Sequence, residues 1–367
     1  MNSFRSIAAS ILCVTLVGCA SSTPSPQSSL TTTVLASGAS ISGANGMQFG
    51  PDGLLYVASV IGSEIIVLDA ASGEIKRRIS EGVNSPDDIA FHSDGSIYWT
   101  SILSGEVAGI RSDGSPVIAA QLSPGTNPIT FSPDDRLFVS QCFFGDKLYE
   151  VDPNGIKPER LLSDQLGPGC GLNGMDWGPD GRLYGPRWFH GTVVSFDVDT
   201  LEMRTEITGL RVPAAVKFDS KGHLHILDTG AGTIVRIDKA TEERTIVATL
   251  TPGLDNIAFD ANDRLFVSSF VDGFVARINS DGSHTMIAPA GMAHPGGVVV
   301  RDTSAGQEIV VADMQSLRGF DAVTGKETFV HRNVLGVGEM GSVTNVAVDG
   351  TGNSANMILT SWLDGVV

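Results

Sequence analysis

ANGMQFGPDGLLYVAS, Ala44 to Ser59, decides the fold, because seven further copies of its pattern follow it. They are PDDIAFHSDGSIYWTS (Pro86 to Ser101), TNPITFSPDDRLFVSQ (Thr126 to Gln141), LNGMDWGPDGRLYGPR (Leu172 to Arg187), PAAVKFDSKGHLHILD (Pro213 to Asp228), LDNIAFDANDRLFVSS (Leu254 to Ser269), PGGVVVRDTSAGQEIVVAD (Pro295 to Asp313) and TNVAVDGTGNSANMILTS (Thr344 to Ser361). The spacing is about 40 residues, the sign of a repeat architecture. Within each copy apolar residues alternate with polar ones, the β period, and turn pairs such as Asp52 with Gly53 and Asp180 with Gly181 divide two runs. Each copy therefore opens with a hairpin.

A third alternating run follows in EIIVLDAASGE (Glu64 to Glu74), GTVVSFDVDT (Gly191 to Thr200) and GTIVRIDKAT (Gly232 to Thr241), then an edge-like run such as IKRRIS or RTIVATL. Four antiparallel strands per unit, repeated radially, make the blades of a β-propeller. A stacked solenoid also has a fixed period, but solenoids of this period use helices, and no segment after residue 30 has a sustained helical period.

The fold class expected is all-β, a propeller of eight blades, with seven blades or a truncated ring as alternatives. The eighth copy supplies two strands and the start of a third, GVV. LTTTVLAS, Leu30 to Ser37, alternates like an outer strand and is expected to close the last blade, since an open sheet edge invites unwanted pairing. Residues 30–367 then form one domain, because a ring closes as a unit.

At 42% hydrophobic residues, the chain has ample material for a core. Its 24 Lys and Arg against 41 Asp and Glu give a net charge of −17, which excludes a basic nucleic-acid surface. Many of these acids serve turns.

The first 29 residues read as an address. Arg5 precedes an apolar stretch from Ile7 to Val17, too short to span a bilayer, which ends in LVGC at Cys19. This resembles the lipobox of bacterial lipoproteins. The resemblance implies a signal peptide over 1–18, acylation of Cys19, and a site in the bacterial cell envelope, on the periplasmic side of the outer membrane since no Asp follows Cys19. An ordinary signal peptide cleaved elsewhere is the alternative. ASSTPSPQSS, to residue 29, reads as a tether. In an oxidising compartment Cys142 and Cys170, placed in neighbouring loops of one face, are expected to form a disulfide; two buried free thiols are the alternative.

Two residues before the first buried apolar residue of each inner strand lies a position at the channel mouth: Asn45, Asp87, Asn127, Asn173, Ala214, Asp255, Gly296 and Thr344. The next position adds Asp88, Asn256 and Asn345. Oxygen ligands converging from several blades suit a hard cation such as calcium or another divalent ion. Capping of nearby backbone amides explains the same residue types individually.

NGMDWGPDGRLYG at Asn173 resembles a motif of the senescence marker protein and gluconolactonase family, and DNIAFDANDRLFV at Asp255 resembles an inner strand of the paraoxonases. Both are calcium-dependent propeller hydrolases of lactones or esters. By this resemblance Asn127, Asn173, Asp255 and Asn256 would bind the metal. The chain departs from those families, which have six blades, in carrying Asn45 where they carry Glu and Ala214 where they carry Asp.

If such a site is catalytic, a cation polarises the carbonyl while a base activates water. Candidates are Asp255, Asp87, Asp88, His190 in RWFHG and His294 in AHPGG. His225 stands where other copies have Tyr or Phe and reads as core. Phe143, Phe144, Trp188, Phe189, Phe270 and Trp362 follow second strands and would make an apolar vestibule for a lactone or ester, or for a protein or glycan partner if the propeller is only a binding scaffold. The DAASGE and DAVTGK segments, at Asp69 and Asp321, suggest a quinoprotein, but the tryptophans that dock its blades are missing. No GxSxG elbow is present.

Overall fold

The computed structural model describes residues 32–239, 241, 243–332, 342–350 and 356–361. The signal segment 1–18, Cys19, the tether to residue 29 and Trp362 lie outside the described residues. All eight copies form antiparallel sheets. Seven are four-stranded, and the eighth pairs Asn345–Asp349 with Asn356–Thr360. One 3-10 turn, Trp188–His190, interrupts the strands. Among the described residues no helix is long and apolar enough to cross a membrane.

The hairpin turns follow from their residues. Gly53 adopts φ 75°, which a side chain would resist, while Asp52 accepts from the Leu54 amide at 3.1 Å and from the Tyr56 hydroxyl at 2.9 Å. Copies three and six carry Asp135 and Asp263 at the left-handed position instead. Each bonds the turn of the preceding blade, Asp135 through the Ser93 amide at 3.1 Å and Asp263 through the Ser220 amide at 3.0 Å. Turn chemistry thereby becomes a link between blades.

The inner strands Ala44–Phe49, Pro86–Phe91, Thr126–Phe131, Asp176–Trp177, Pro213–Phe218 and Leu254–Phe259 belong to blades 1 to 6. The strand of blade 1 lies against that of blade 2 on one side and that of blade 6 on the other. Ser268 Oγ of blade 6 donates to the Asn45 carbonyl at 2.7 Å, Phe49 meets Phe266 edge-on at 5.1 Å, and Met47 packs in one cluster with Phe266 and Val275. Six sheets thus meet in a ring.

The contact that the sequence assigned to an eighth blade completed by Leu30–Ser37 is made instead between blades 6 and 1. Residues 32–37 are not strand. The Leu35 carbonyl packs on Gly325 of the seventh sheet, and the Ala39 amide donates to the Met292 carbonyl at 2.8 Å. Met47 and Phe49 already cover the face of blade 6 that a further blade would have covered. The first strand of the seventh sheet, Val298–Thr303, lies against Asn345–Asp349 of the eighth.

A buried ion network holds the seventh sheet to blade 6. Arg318 bonds Asp272 at 2.5 Å and Asp313 at 2.7 Å, and Arg332 adds a contact to Asp272 at 2.8 Å. Arg318 and both acids are almost fully buried.

A candidate site at the channel mouth

A β-bulge recurs at the start of the inner strands. The register slips between Ala44 and Met47, Pro86 and Ile89, Pro213 and Ala215, and Leu254 and Ile257, and opposite Thr126–Ile129 in blade 3. A bulge leaves residues outside the ladder and re-aims their side chains. In blades 1, 2 and 6 it frees the second and third residue of the strand, among them Asn45, Asp87, Asp88, Asp255 and Asn256.

The structure brings together Asn45, Asp87, Asp88, Asp255 and Asn256. Asn45 Nδ2 donates to Asp87 at 3.5 Å, and Asn256 Nδ2 to Asp88 at 3.5 Å, the latter joining blade 6 to blade 2. Asn45, Asp87, Asp88, Asn127, Asn173 and Asn256 are buried, while Asp255 retains partial exposure.

Their oxygens are not equally available. Asp88 accepts from the Ile89 amide at 2.9 Å and the Ile129 amide at 3.3 Å, Asn173 from the Gly174 amide at 2.9 Å, and Asn256 from the Ile257 amide at 2.8 Å. These three cap backbone. Asn45 Oδ1, by contrast, is a buried acceptor without a donor among the described residues. Such an atom is costly unless something else meets it.

Burial and mutual repulsion raise the carboxyls. Desolvation, with the charges of Asp255 and Asp88, pushes Asp87 well above the carboxylate range. Desolvation and the charge of Asp88 push Asp255 up to about 8. Asp88 rises only to about 6: its burial is offset by Lys217 and by the Ile89 and Ile129 amides. At neutral pH the mouth therefore holds protons that a cation would displace.

Lys217 and its neighbour Asp176 were not among the residues read from the sequence. They occupy the fifth position of their copies, counted from Leu172 and Pro213, where the period of two returns a side chain toward the channel. Asp176 accepts from the Phe218 amide at 2.8 Å and Lys217 Nζ donates to the Met175 carbonyl at 3.1 Å. That periodicity was the available signal.

The two candidate histidines fall elsewhere. His190 is exposed in the 3-10 turn of blade 4, beside Arg187, and burial and that guanidinium lower its pKa. His294, with Gly296, Thr344 and Asn345, lines a cavity of about 410 Å³ between the seventh and eighth sheets. Its amide donates to Asp313 at 2.6 Å. The expectation that Gly296, Thr344 and Asn345 join the channel mouth is corrected by the six-sheet ring, which places their sheets beside it. His225 is buried edge-on to Phe259 at 4.9 Å, as a core residue. Cys142 and Cys170 are joined in a buried disulfide. Among the described residues no three His, Cys, Asp or Glu side chains form a metal-sized group, so a cation here must draw on the carboxamides.

No family model matches the chain. No curated protein matches it either. Solved structures do. A streptogramin B lyase is 16% identical, covering 82% of this chain and 96% of its own, with a TM-score of 0.55. A chain of a nidogen/laminin complex is 18% identical over 62% of this chain and 90% of its own, with a TM-score of 0.52. Regucalcin from Agrobacterium tumefaciens, a calcium-binding protein, is 20% identical over 62% of this chain and 82% of its own, at 0.49. Likeness at these identities establishes the β-propeller fold and nothing finer.

Proposed function

We propose that the chain is an envelope propeller whose channel mouth binds a divalent cation, calcium first, and hydrolyses a lactone or ester there. The observation that carries the reading is the unpartnered Asn45 Oδ1, buried beside Asp87 in a mouth where several blades converge acids and amides. Asn45, Asn127, Asp87 and Asp255 offer hard oxygen donors that fit such an ion, with Asn173 and Asn256 contributing the lone pairs their backbone bonds leave. A bound cation supplies Lewis acidity toward a carbonyl oxygen.

The residues of the chain supply the rest. Asp255, partly exposed at the rim, is the acid placed to exchange a proton with a bound water. Asp88, fixed by two backbone amides and screened by Lys217, orients the Asn256 carboxamide. Ala214 is a buried apolar member of the circle of polar groups, in one core cluster with Trp188.

A second reading is a binding scaffold for a protein or glycan, and the exposed rings of Phe144 and Phe189 favour it. Calcium binding by calorimetry, with a panel of lactones and aryl esters assayed on wild type and Asp255→Ala, separates the two. Turnover lost with the variant supports the hydrolase; calcium binding without turnover of any member leaves the scaffold. Anchoring through Cys19 is part of the proposal, and intact-mass analysis of membrane-extracted protein for a diacylglyceryl adduct tests it.

A further inference from the structure

The last residue of each blade's second strand stands beside the loop that leads into the same blade. In five blades its side chain ties that loop down, in the seventh through Asp313, which accepts from the Ala293 amide at 3.1 Å. Ser59 Oγ donates to the Ser42 carbonyl at 2.8 Å, Gln141 Nε2 to the Pro124 carbonyl at 3.0 Å and Ser269 Oγ to the Gly253 carbonyl at 3.0 Å, while Asp228 accepts from the Val212 amide at 2.9 Å. Ser101 of blade 2 has a hydroxyl without a partner. In blade 4 the position is Arg187.

Arg187 follows none of these patterns. Its guanidinium, with five donors, makes no hydrogen bond or ion pair among the described residues, and its Nε is buried without an acceptor. The loop it faces turns at Gly167, φ 132°, and the space a side chain there would need is filled by Arg187 Nη2 and by His190 Nε2, 2.5 Å from where a Cβ would stand. Two polar groups thus converge on one glycine. Asp146, the acid whose charge reaches Arg187, already accepts from the Gly167 amide at 3.2 Å.

Aromatic rings adjoin this point. Phe189 is 54% exposed and Phe144 65%. Phe143, held at φ 68°, stands edge-on to Trp188 at 5.4 Å and to Phe189 at 6.3 Å. A partly buried guanidinium lacking an acceptor beside exposed rings fits a ligand with a planar anionic head and an apolar body.

We infer that Arg187 and His190 form an oxyanion pocket on the rim of the propeller that takes an organic carboxylate, with Phe189 and Phe144 covering its apolar part. The pocket requires no metal and goes beyond the channel-mouth reading; where both hold, the carboxylate is that of a hydroxy-acid product.

Isothermal titration of phenylacetate into the wild-type chain tests it, with inorganic phosphate as a second probe. Wild type is expected to bind phenylacetate saturably and more tightly than phosphate, and Arg187→Gln to bind it about tenfold or more weakly, the loss expected for a charged hydrogen bond. Asp255→Ala, which removes a proposed calcium ligand, is expected to bind phenylacetate as wild type does, so failure of the metal reading leaves this result intact. Absent saturation in wild type, undiminished binding by Arg187→Gln, or phosphate binding as tightly overturns the inference. Should Arg187→Gln fail to fold, phenylglyoxal labelling of wild-type Arg187 read by peptide mass gives the answer: protection by phenylacetate supports the pocket, and labelling at an unchanged rate contradicts it.

Discussion

Asp88 occupies the space in which a side chain at Gly46 would begin: a Cβ at Gly46 would lie 2.5 Å from the Asp88 Cα, with the carboxylate closer still. The same relation recurs between Gly174 and Ala215, whose Cβ would be 2.5 Å away, and between Gly297 and Asn345, whose Cα would be 2.7 Å away. Glycine one residue after the channel-mouth position is therefore what lets the equivalent residue of the next sheet come in beside it. Gly46→Ala is expected to displace Asp88, destabilise the protein by about 1–3 kcal/mol as overpacking does, and weaken calcium binding. Urea unfolding and calcium titration of the variant check both.

Arg318 is buried between Asp272 and Asp313, and its removal leaves Asp313 without a counter-charge and Asp272 with Arg332 alone. Arg318→Met should cost about 3–5 kcal/mol, the usual penalty for breaking a buried pair. The loss should concentrate in the seventh sheet, so limited proteolysis is expected to cut after Ala288 while the first six blades stay protected. Uniform protection in the variant would contradict this.

Cys142 and Cys170 close a loop with a sequence separation of 28. Paired Cys142→Ser and Cys170→Ser substitutions should lower stability by about 3 kcal/mol by chain-entropy reasoning. Denaturant midpoints of oxidised wild type and the double variant measure it.

The raised carboxyls set a pH dependence. Between its ordinary 3.8 and about 8, Asp255 holds a proton in the folded state that the unfolded state releases. Its contribution to stability is therefore greatest at low pH and declines as pH rises through this window. In EDTA, Asp255→Asn is expected to melt about 1–3 °C above wild type at pH 8.5, a shift of the size a kcal/mol gives, and level with it at pH 4. Thermal scans at the two pH values decide.

The blades were legible in the sequence because alternation and Asp-Gly turns are local signals. Ring closure was not. Val298 and Val300 of the seventh copy match Met47 and Phe49 of the first in strand position, yet they are 62% and 52% exposed while Met47 is buried against Phe266. Which copy covers blade 6 depends on competition between faces more than 200 residues apart in the chain. The misplacement of His294 follows from that competition. Asn45, Asp87, Asp255 and Asn256 were legible because the bulge recurs at one position, whereas Arg187 stands out only against the corresponding residues of blades 1, 3, 5 and 6, which bond their loops.

Calorimetric titration of calcium into the EDTA-treated wild-type chain and Asp255→Ala at pH 6, 7 and 8 tests the central claim most directly. One ion per chain, bound with proton release, more tightly as pH rises toward 8 and not at all by the variant, is the expected result. Absence of binding to wild type at pH 8, or equal binding by Asp255→Ala, would contradict a cation site at the channel mouth.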